Sequence, residues 1–415
     1  MRINPINPAD SRFFYSSSKT ENSVSNTFSN KIYNPAFYGI MPAVSHFEKE
    51  ISEQPEVLNR LAGIFFQKPG AVNIDLNITP EEMKKIKRIS ITASGSSKNA
   101  GEAARNFIEK AALIPVNIES AGEYMLNQHP ADSTEDLALF ISQSGKTADT
   151  LQALKNLSDK GIKSIAVTNE PLSEIAEAAD FHQYIYAGPE YAAAASKTVT
   201  GSIFTLIAIG MRLGLIKGSL NEDDINYYAS KLKLLPNQLK EILKDTENVK
   251  KAAEIISKAG NIYCYAKGAN IGAMKEGALK LTETSGLHAS AESSSEALHG
   301  MFSSIEPKNA VLQTVLGNPE SGVYKTAAEN IKEIIKKRGI EAPIIIRTQG
   351  DYGIERFLNH PNAVYIDIPE TDEMAAPILT AARMQQITNE TAKILNISPD
   401  TCRNAITKYR QNLSM

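Results

Sequence analysis

The sequence predicts an α/β protein with two domains, each a parallel β-sheet flanked by helices, and two observations support this prediction. Short apolar segments alternate with segments of helical periodicity between about residue 88 and residue 395, which is typical of parallel sheets covered by helices on both faces. At 415 residues, the chain has the length of about two domains, each large enough to bury its own core.

Each half of the chain contains five predicted strands. In the first half these are Arg88–Ala93, Val116–Ser120, Ala138–Ser142, Ser164–Thr168 and His182–Ala187. In the second half they are Ile262–Ala266, Leu287–Ala291, Ala310–Leu316, Pro343–Arg347 and Val364–Ile368. The two halves therefore look like a repeat of one fold, although they share little direct sequence identity.

Helices are predicted between the strands, among them Lys98–Ala112, Thr147–Leu157, Thr198–Leu213, Ile271–Ser285 and Asp372–Leu395. A polar helical segment from Glu222 to Leu243 suits a connector between the domains. A further helix from Phe47 to Phe66 is expected to break or restart at Pro55, because proline lacks the N–H that a helix interior needs.

These elements divide the chain into five parts. We expect a flexible N-terminal arm over residues 1–45, a first domain over 46–218, a helical connector over 219–248, a second domain over 249–395 and a C-terminal tail over 396–415. The arm is rich in Asn, Ser and Pro and shows no regular apolar period, which favours disorder or loose docking.

Two predicted strands of the first half end in loops rich in hydroxyl groups, and each loop leads into a helix. A helix N-terminus offers unpaired backbone N–H groups and the positive end of the helix dipole, so such loops can bind phosphate. In a parallel sheet, the carboxyl ends of neighbouring strands face the same crevice. The polar side chains of these two loops are Ser96, Ser97, Ser142, Gln143, Ser144 and Thr147.

An ordinary strand-to-helix turn with capping serines is the alternative interpretation of each loop. Neither loop is a P-loop, because the spacing Gly-x-x-x-x-Gly-Lys-Ser/Thr is absent. Neither is a dinucleotide fingerprint, because Gly95 lacks the second and third glycines.

The second half contains three charged residues within an otherwise small and apolar helix. Glu276, Lys280 and Glu283 are spaced i, i+4, i+7, so they point within about 60° of one another. A solvated face carrying a Glu–Lys pair is the alternative interpretation. The small and apolar neighbours suit a close-packed helix and therefore argue against a solvated face.

Several segments together resemble the SIS (sugar isomerase) domain family. They are Ala-Ser-Gly-Ser-Ser at 93–97, Ser-Gln-Ser-Gly-Lys-Thr at 142–147, Gly-Pro-Glu-Tyr-Ala-Ala-Ala-Ala-Ser-Lys-Thr at 188–198 and Glu-Ile-Ser-Glu-Gln-Pro at 50–55. The resemblance runs from about residue 47 to the C-terminus. It is strongest to the isomerase half of glucosamine–fructose-6-phosphate aminotransferases and to their stand-alone deaminase relatives.

The resemblance also assigns roles to residues of the second half. Glu276-Gly-Ala-Leu-Lys280-Leu-Thr-Glu283, followed by Glu296-Ala-Leu-His299, is similar to the family's isomerase motif. It implies that Glu283 moves a proton between C1 and C2 of an open-chain sugar and that Lys280 and Glu276 orient the sugar and each other. His299 would assist ring opening in the neighbouring subunit of a homodimer with shared active sites.

Two further residues receive weaker expectations. Lys408 is a candidate for the lysine that, in the family, forms a Schiff base or covers the site, but a strict alignment places Thr407 there. A solvated tail lysine is the alternative for Lys408. No role is assigned to His288, which we expect to be a packed histidine.

Some positions depart from the family pattern. Lys146 stands where the family has Glu, Ala195 replaces a sugar-facing serine, and Met301 replaces the proline of His-Gly-Pro. These changes affect the expected identity of the substrate more than they affect the expected fold.

The resemblance implies a phosphosugar isomerase or deaminase, interconverting glucosamine 6-phosphate with fructose 6-phosphate and ammonia. We expect no glutaminase domain with a nucleophilic cysteine, since the N-terminal segment is a short Asn/Ser-rich arm. The alternatives are a fructosamine-6-phosphate deglycase and a phosphosugar sensor without catalytic activity.

Composition limits the kinds of partner, metal site and cofactor that we expect. The net charge is −3 and the pI about 6.2, which does not indicate binding to nucleic acid or an acidic membrane. Two distant cysteines and six scattered histidines suggest neither a disulfide framework nor a metal site. We expect no metal, no cofactor and no transmembrane helix, and a cytoplasmic location.

Overall fold

The computed structural model describes residues 44–126 and 134–401, with side chains omitted at 125–126. The expected arm up to residue 43 and the expected tail from residue 402 lie outside the described residues. Within them, the chain folds into two five-stranded sheets covered by helices.

Both sheets are wholly parallel and have the same strand order. The first runs β2-β1-β3-β4-β5 and the second β10-β9-β8-β6-β7, which is the same arrangement read from the other edge. The α/β class with two parallel-sheet domains and the ten strand positions are therefore confirmed. The strands are β1 Arg88–Ala93, β2 Val116–Ser120, β3 Asp136–Ile141, β4 Lys163–Thr168, β5 Phe181–Tyr184, β6 Asn261–Ala266, β7 His288–Ser293, β8 Ala310–Val315, β9 Ile344–Thr348 and β10 Val364–Ile368.

Strand β5 ends three residues earlier than predicted. Tyr186 adopts a left-handed conformation with φ of 53°, which turns the chain away from the sheet. The N–H of Ala187 then donates to Asn169 Oδ1 rather than to a strand.

The helices cover both faces of each sheet and include the long helix predicted between the domains. They are α1 His46–Phe65, α2 Pro80–Lys85, α3 Gly95–Ala112, α4 Ala121–Leu126, α5 Ala148–Ser158, α6 Glu174–Ala178, α7 Lys197–Lys217, α8 Glu222–Lys244, α9 Glu247–Ser257, α10 Asn270–Ser285, α11 Gly322–Arg338, α12 Tyr352–Leu358 and α13 Ala376–Ile394. Two short 3₁₀ turns, Glu296–Leu298 and Met301–Ser304, follow β7.

The predicted break at Pro55 is wrong, because α1 continues through this residue as one helix. Proline leaves the carbonyl of Ile51 without its usual helical donor. Gln54 Nε2 donates to that carbonyl at 3.1 Å, which supplies the missing hydrogen bond from the side of the helix. A side chain next to the proline thus repairs the defect that the sequence pattern alone predicts.

Helix α7 forms the centre of the first domain. By length and composition it could cross a membrane, contrary to the expectation that no segment would qualify, but 83% of its apolar window is buried inside the fold. It packs against α1, α3 and α13, as the core helix of a globular domain does.

Helices α3 and α10 join the two domains at very close range. A Cβ added to Gly272 on α10 would lie 2.4 Å from the backbone nitrogen of Ala103 and 2.7 Å from the carbonyl oxygen of Asn99. Further along, Glu276 contacts the side chain of Asn99, so the two helices run antiparallel. Lys275 also forms an ion pair with Glu102 across this contact at 2.8 Å.

The loop at 188–197 is held against α1 by a buried carboxylate. Glu50 is 2% exposed and accepts hydrogen bonds from the backbone N–H groups of Tyr191 and Ala192. Burial is the main cause that raises the pKa of Glu50 above its usual range, and nearby Glu190 adds to it, while the two N–H donors and Lys197 act in the opposite direction.

Two glycine substitutions should have opposite effects on stability. Gly272→Ala should lower the free energy of unfolding by about 1–3 kcal/mol, since its methyl group would overlap the backbone of α3. Gly63→Ala, in α1 with open space around it, should raise the free energy of unfolding by about 0.5–1 kcal/mol. Urea denaturation of both variants checks this; equal stability of the two would contradict the close packing.

The raised pKa of Glu50 predicts a pH dependence of stability. Between its usual value of 4.5 and the higher folded value, the native state holds a proton that the unfolded chain has lost. Stability from this group is therefore full below that window and falls as pH rises through it. Glu50→Gln should remove this slope from denaturation curves measured from pH 4.5 upward, whereas Glu56→Gln, exposed on the same helix, should keep it. An unchanged slope in Glu50→Gln would contradict this assignment.

Candidate active site

The two hydroxyl-rich loops of the first domain lie side by side. Strands β1 and β3 are neighbours, and Ala93 pairs with Ile141 at their carboxyl ends. Ser96 and Ser97 follow Ala93 in the first turn of α3, where both are half-buried. Both loops thus open onto the same edge of the sheet.

The loop after β3 is a tight turn held by its own polar groups. Ser142 Oγ lies 2.9 Å from Thr147 Oγ1, and the N–H of Gly145 donates to the carbonyl of Ser142 at 3.1 Å. Ser144 Oγ accepts from the N–H of Lys146 at 3.3 Å. Ser142 is buried, while Gln143, Ser144 and Thr147 are half-buried, so the loop presents polar groups at the sheet edge.

Gly145 is required at its position. Its φ is 64°, and an added Cβ would lie 2.2 Å from Ser173 Oγ. Both the left-handed backbone and the nearby serine exclude a larger side chain.

Asn169 supports this loop and was not found from the sequence. Its N–H donates to the carbonyl of Gln143 at 3.0 Å, and its side-chain amide bonds both the Ala187 N–H at 2.9 Å and the Gly188 carbonyl at 2.8 Å. It therefore ties the hydroxyl-rich loop to the segment that begins at Gly188. Its place directly after β4, at the same sheet edge, is a signal that could have identified it.

The three charged residues of α10 form one cluster. Lys280 Nζ donates to Glu283 Oε2 and lies 3.5 Å from Glu276 Oε1. The side chains of Lys280 and Glu276 are each 2% exposed, whereas that of Glu283 is 35% exposed. The solvated-face interpretation is therefore wrong for Glu276 and Lys280, and the ammonium is positioned between a buried carboxylate and an accessible one.

The cluster lies toward the end of α10 that is nearer to the start of α3. Because α10 runs antiparallel to α3, with Glu276 opposite Asn99, residues 280 and 283 lie further toward the N-terminal end of α3. That end carries Ser96 and Ser97. A partly exposed carboxylate next to an ammonium, near a hydroxyl-rich helix N-terminus, can accept and return a proton on a molecule anchored by an anionic group.

The remaining residues named in the sequence analysis lie away from the α10 cluster or outside the described residues. His299 is exposed at the end of a 3₁₀ turn, with its N–H donating to the carbonyl of Glu296. Lys408 lies outside the described residues. The prediction that His288 is packed is wrong, because this residue begins the edge strand β7 and is exposed. Within residues 44–126 and 134–401, no group of three or more His, Cys, Asp or Glu is arranged to hold a metal ion.

Sequence comparisons connect this arrangement with known proteins. The family model of the SIS domain matches residues 82–210 and 255–388. The glutamine–fructose-6-phosphate aminotransferase of Clostridium acetobutylicum is 33% identical over 339 residues, which is 81% of this chain and 54% of the relative. That of Methanosarcina acetivorans is 30% identical over 358 residues, covering 86% of this chain and 56% of the relative. The chain thus spans about half the length of the curated relatives it matches.

Solved structures show the same fold. The C-terminal domain of glucosamine-fructose-6-phosphate aminotransferase from Francisella tularensis superposes with a TM-score of 0.79 at 27% identity, covering 86% of this chain and 97% of that one. A glucosamine-6-phosphate deaminase from Thermotoga maritima has a TM-score of 0.63 at 19% identity, covering 87% and 98%. Two matched SIS segments on two parallel sheets place this chain in the SIS domain family, similar to the isomerase part of these aminotransferases.

Proposed function

We propose that the protein is an amino-sugar phosphate isomerase and deaminase, converting glucosamine 6-phosphate to fructose 6-phosphate and ammonia in the cytoplasm. The observation that carries this proposal is the Lys280 ammonium between buried Glu276 and partly exposed Glu283, on a helix that packs antiparallel against the one whose first turn carries Ser96 and Ser97. The names of the relatives support a hexose 6-phosphate as the substrate class.

The loops are proposed to bind the phosphate. Hydroxyl and backbone N–H donors at the start of α3 and α5 suit a dianion, and each charge-assisted bond contributes about 1.5–3 kcal/mol. The donors are Ser96, Ser97, Ser142, Gln143, Ser144 and Thr147.

Glu283 is proposed as the base that transfers the proton. In the open-chain substrate it removes the proton from C2 and returns it to C1, while the aldehyde oxygen gains a proton and the amine nitrogen loses one, so that the aldehyde and its neighbouring amine become the 2-imine of fructose 6-phosphate. Water then hydrolyses the imine to the ketone and ammonia. Lys280 would stabilise the negative charge that develops on the sugar oxygen during proton removal.

Ring opening is assigned to His299 of a second subunit. The exposed position of His299 at the end of its turn is compatible with a role in a neighbouring site, and we propose a homodimer with shared active sites. Lys408 remains a proposed contributor from the C-terminal segment.

The substrate panel that tests this function contains glucosamine 6-phosphate, fructosamine 6-phosphates and their unphosphorylated forms. Ammonia with fructose 6-phosphate is the expected result. Free amine with glucose 6-phosphate would instead indicate a deglycase, which moves the proton in the opposite direction, from C1 to C2, before water releases the substituted amine. Binding of a hexosamine phosphate without any product would indicate a sensor.

Removal of loop hydroxyls should weaken substrate binding. Ser142→Ala combined with Ser144→Ala should raise KM for the phosphorylated sugar by about tenfold or more, the loss of roughly one charge-assisted bond. Ser158→Ala, at the far end of α5, serves as the control and should leave KM unchanged. An unphosphorylated sugar that reacts equally well would contradict the phosphate role of the loops.

Glu283→Gln should abolish proton exchange and spare binding. The amide keeps the shape of the carboxylate but cannot accept the proton, so exchange of the C1 or C2 hydrogen with deuterated water, followed by NMR, should disappear while affinity stays within a few-fold. Glu254→Gln, exposed on α9, is the matched control. Exchange that persists in Glu283→Gln would remove this residue from the mechanism.

A further inference from the structure

One side chain links the phosphate-binding helix to the charged cluster. Asn99 lies on α3, half-buried, and its Nδ2 donates to Glu276 Oε2 at 2.9 Å. Ser96 and Ser97 precede it in the first turn of the same helix. The hydrogen bond therefore crosses from the first domain to the second.

This bond fixes the orientation of a buried carboxylate. Glu276 is 1% exposed, and a carboxylate at such a position needs donors to offset its desolvation. With Oε2 held by Asn99, Oε1 lies 3.5 Å from Lys280 Nζ and accepts no hydrogen bond among the described residues. The shorter contact of Lys280 is with Glu283.

Glu276 and Glu283 are two of the groups that act on the Lys280 ammonium. A Glu276 carboxylate that rotated to bring both oxygens onto Lys280 would compete with Glu283 for this ammonium. Asn99 donates the hydrogen bond that fixes one oxygen of Glu276. It lies on α3, the helix whose first turn carries the predicted phosphate donors.

We propose that Asn99 is a positioning residue for proton transfer, acting through Glu276 on Lys280, and that it fixes the acid–base cluster relative to the bound phosphate. This inference rests on the proposed function. It predicts that loss of the Asn99 donor slows the proton-transfer step more than it weakens substrate binding, because the phosphate donors themselves remain.

The test measures kcat and KM for exchange of the substrate C1 or C2 hydrogen with deuterated water. Asn99→Ala should lower kcat about tenfold to a hundredfold with KM changed less than about threefold. Asn99→Asp should lower kcat further, since it places an acceptor against an acceptor. Asn106→Ala, exposed on the same helix, is the control and should behave as the wild type.

A double-mutant cycle separates positioning from general damage to α3. In a Glu276→Ala background, Asn99→Ala should lower kcat by less than about twofold, because the residue through which it acts is gone. A full additional loss in that background would overturn the proposal, as would an unchanged kcat or a loss confined to KM. Thermal melting establishes that each variant is folded, and if Asn99→Ala is not, the same comparison uses Asn99→Asp.

Exchange in the wild-type protein separates failure of the proposed function from failure of the role of Asn99. Absence of exchange in the wild type on any hexose or hexosamine 6-phosphate would overturn the proposed function and this inference with it. Exchange in the wild type with no effect of Asn99 substitutions would overturn only the role of Asn99.

Discussion

The close antiparallel packing of α3 against α10 is the constraint on which the site depends. Gly272 permits the two backbones to approach at a distance that no side chain would allow. A second glycine of α10, Gly277, meets the side chain of Met384 on α13, where an added Cβ would lie 2.5 Å from its terminal methyl group. Small residues on two faces of α10 thus hold it between the domains, and this places Glu276 against Asn99.

The two halves of the repeated fold carry different parts of the proposed site. Both sheets have the same strand order, yet the hydroxyl-rich loop after β3 has no counterpart after β8, where Leu316, Gly317, Asn318 and Pro319 stand. In the proposed function, the first domain supplies donors for the phosphate and the second supplies the ionisable groups on α10. The contact between α3 and α10 then determines whether the two sets meet.

Local patterns were sufficient for the strands, the parallel class and the charged cluster. Apolar runs and loop hydroxyls can be recognised within short stretches of the sequence. The spacing of Glu276, Lys280 and Glu283 fixes their shared helix face. The partners of Asn99 and Asn169 are distant in sequence, so a local pattern can mark Asn169 by its place after β4 but cannot show what either residue contacts. Pro55 failed as a helix break because Gln54 replaces the lost hydrogen bond, and His288 failed as a packed residue because its strand lies at a sheet edge.

The supporting interactions give the site a rigid frame. Asn169 fixes the turn at Gln143 to the segment beginning at Gly188, and Glu50 holds the next residues of that segment against α1. Residues held in this way lose little freedom when a ligand binds, which favours a preorganised site.

The proposed function requires one sugar phosphate to contact both domains at once. Hydrogen–deuterium exchange of the full chain with and without fructose 6-phosphate tests this requirement. Added protection is expected both in the loops at 94–97 and 142–147 and in the C-terminal half of α10, and none with unphosphorylated fructose. Protection confined to the loops, or equal protection by the unphosphorylated sugar, would contradict it.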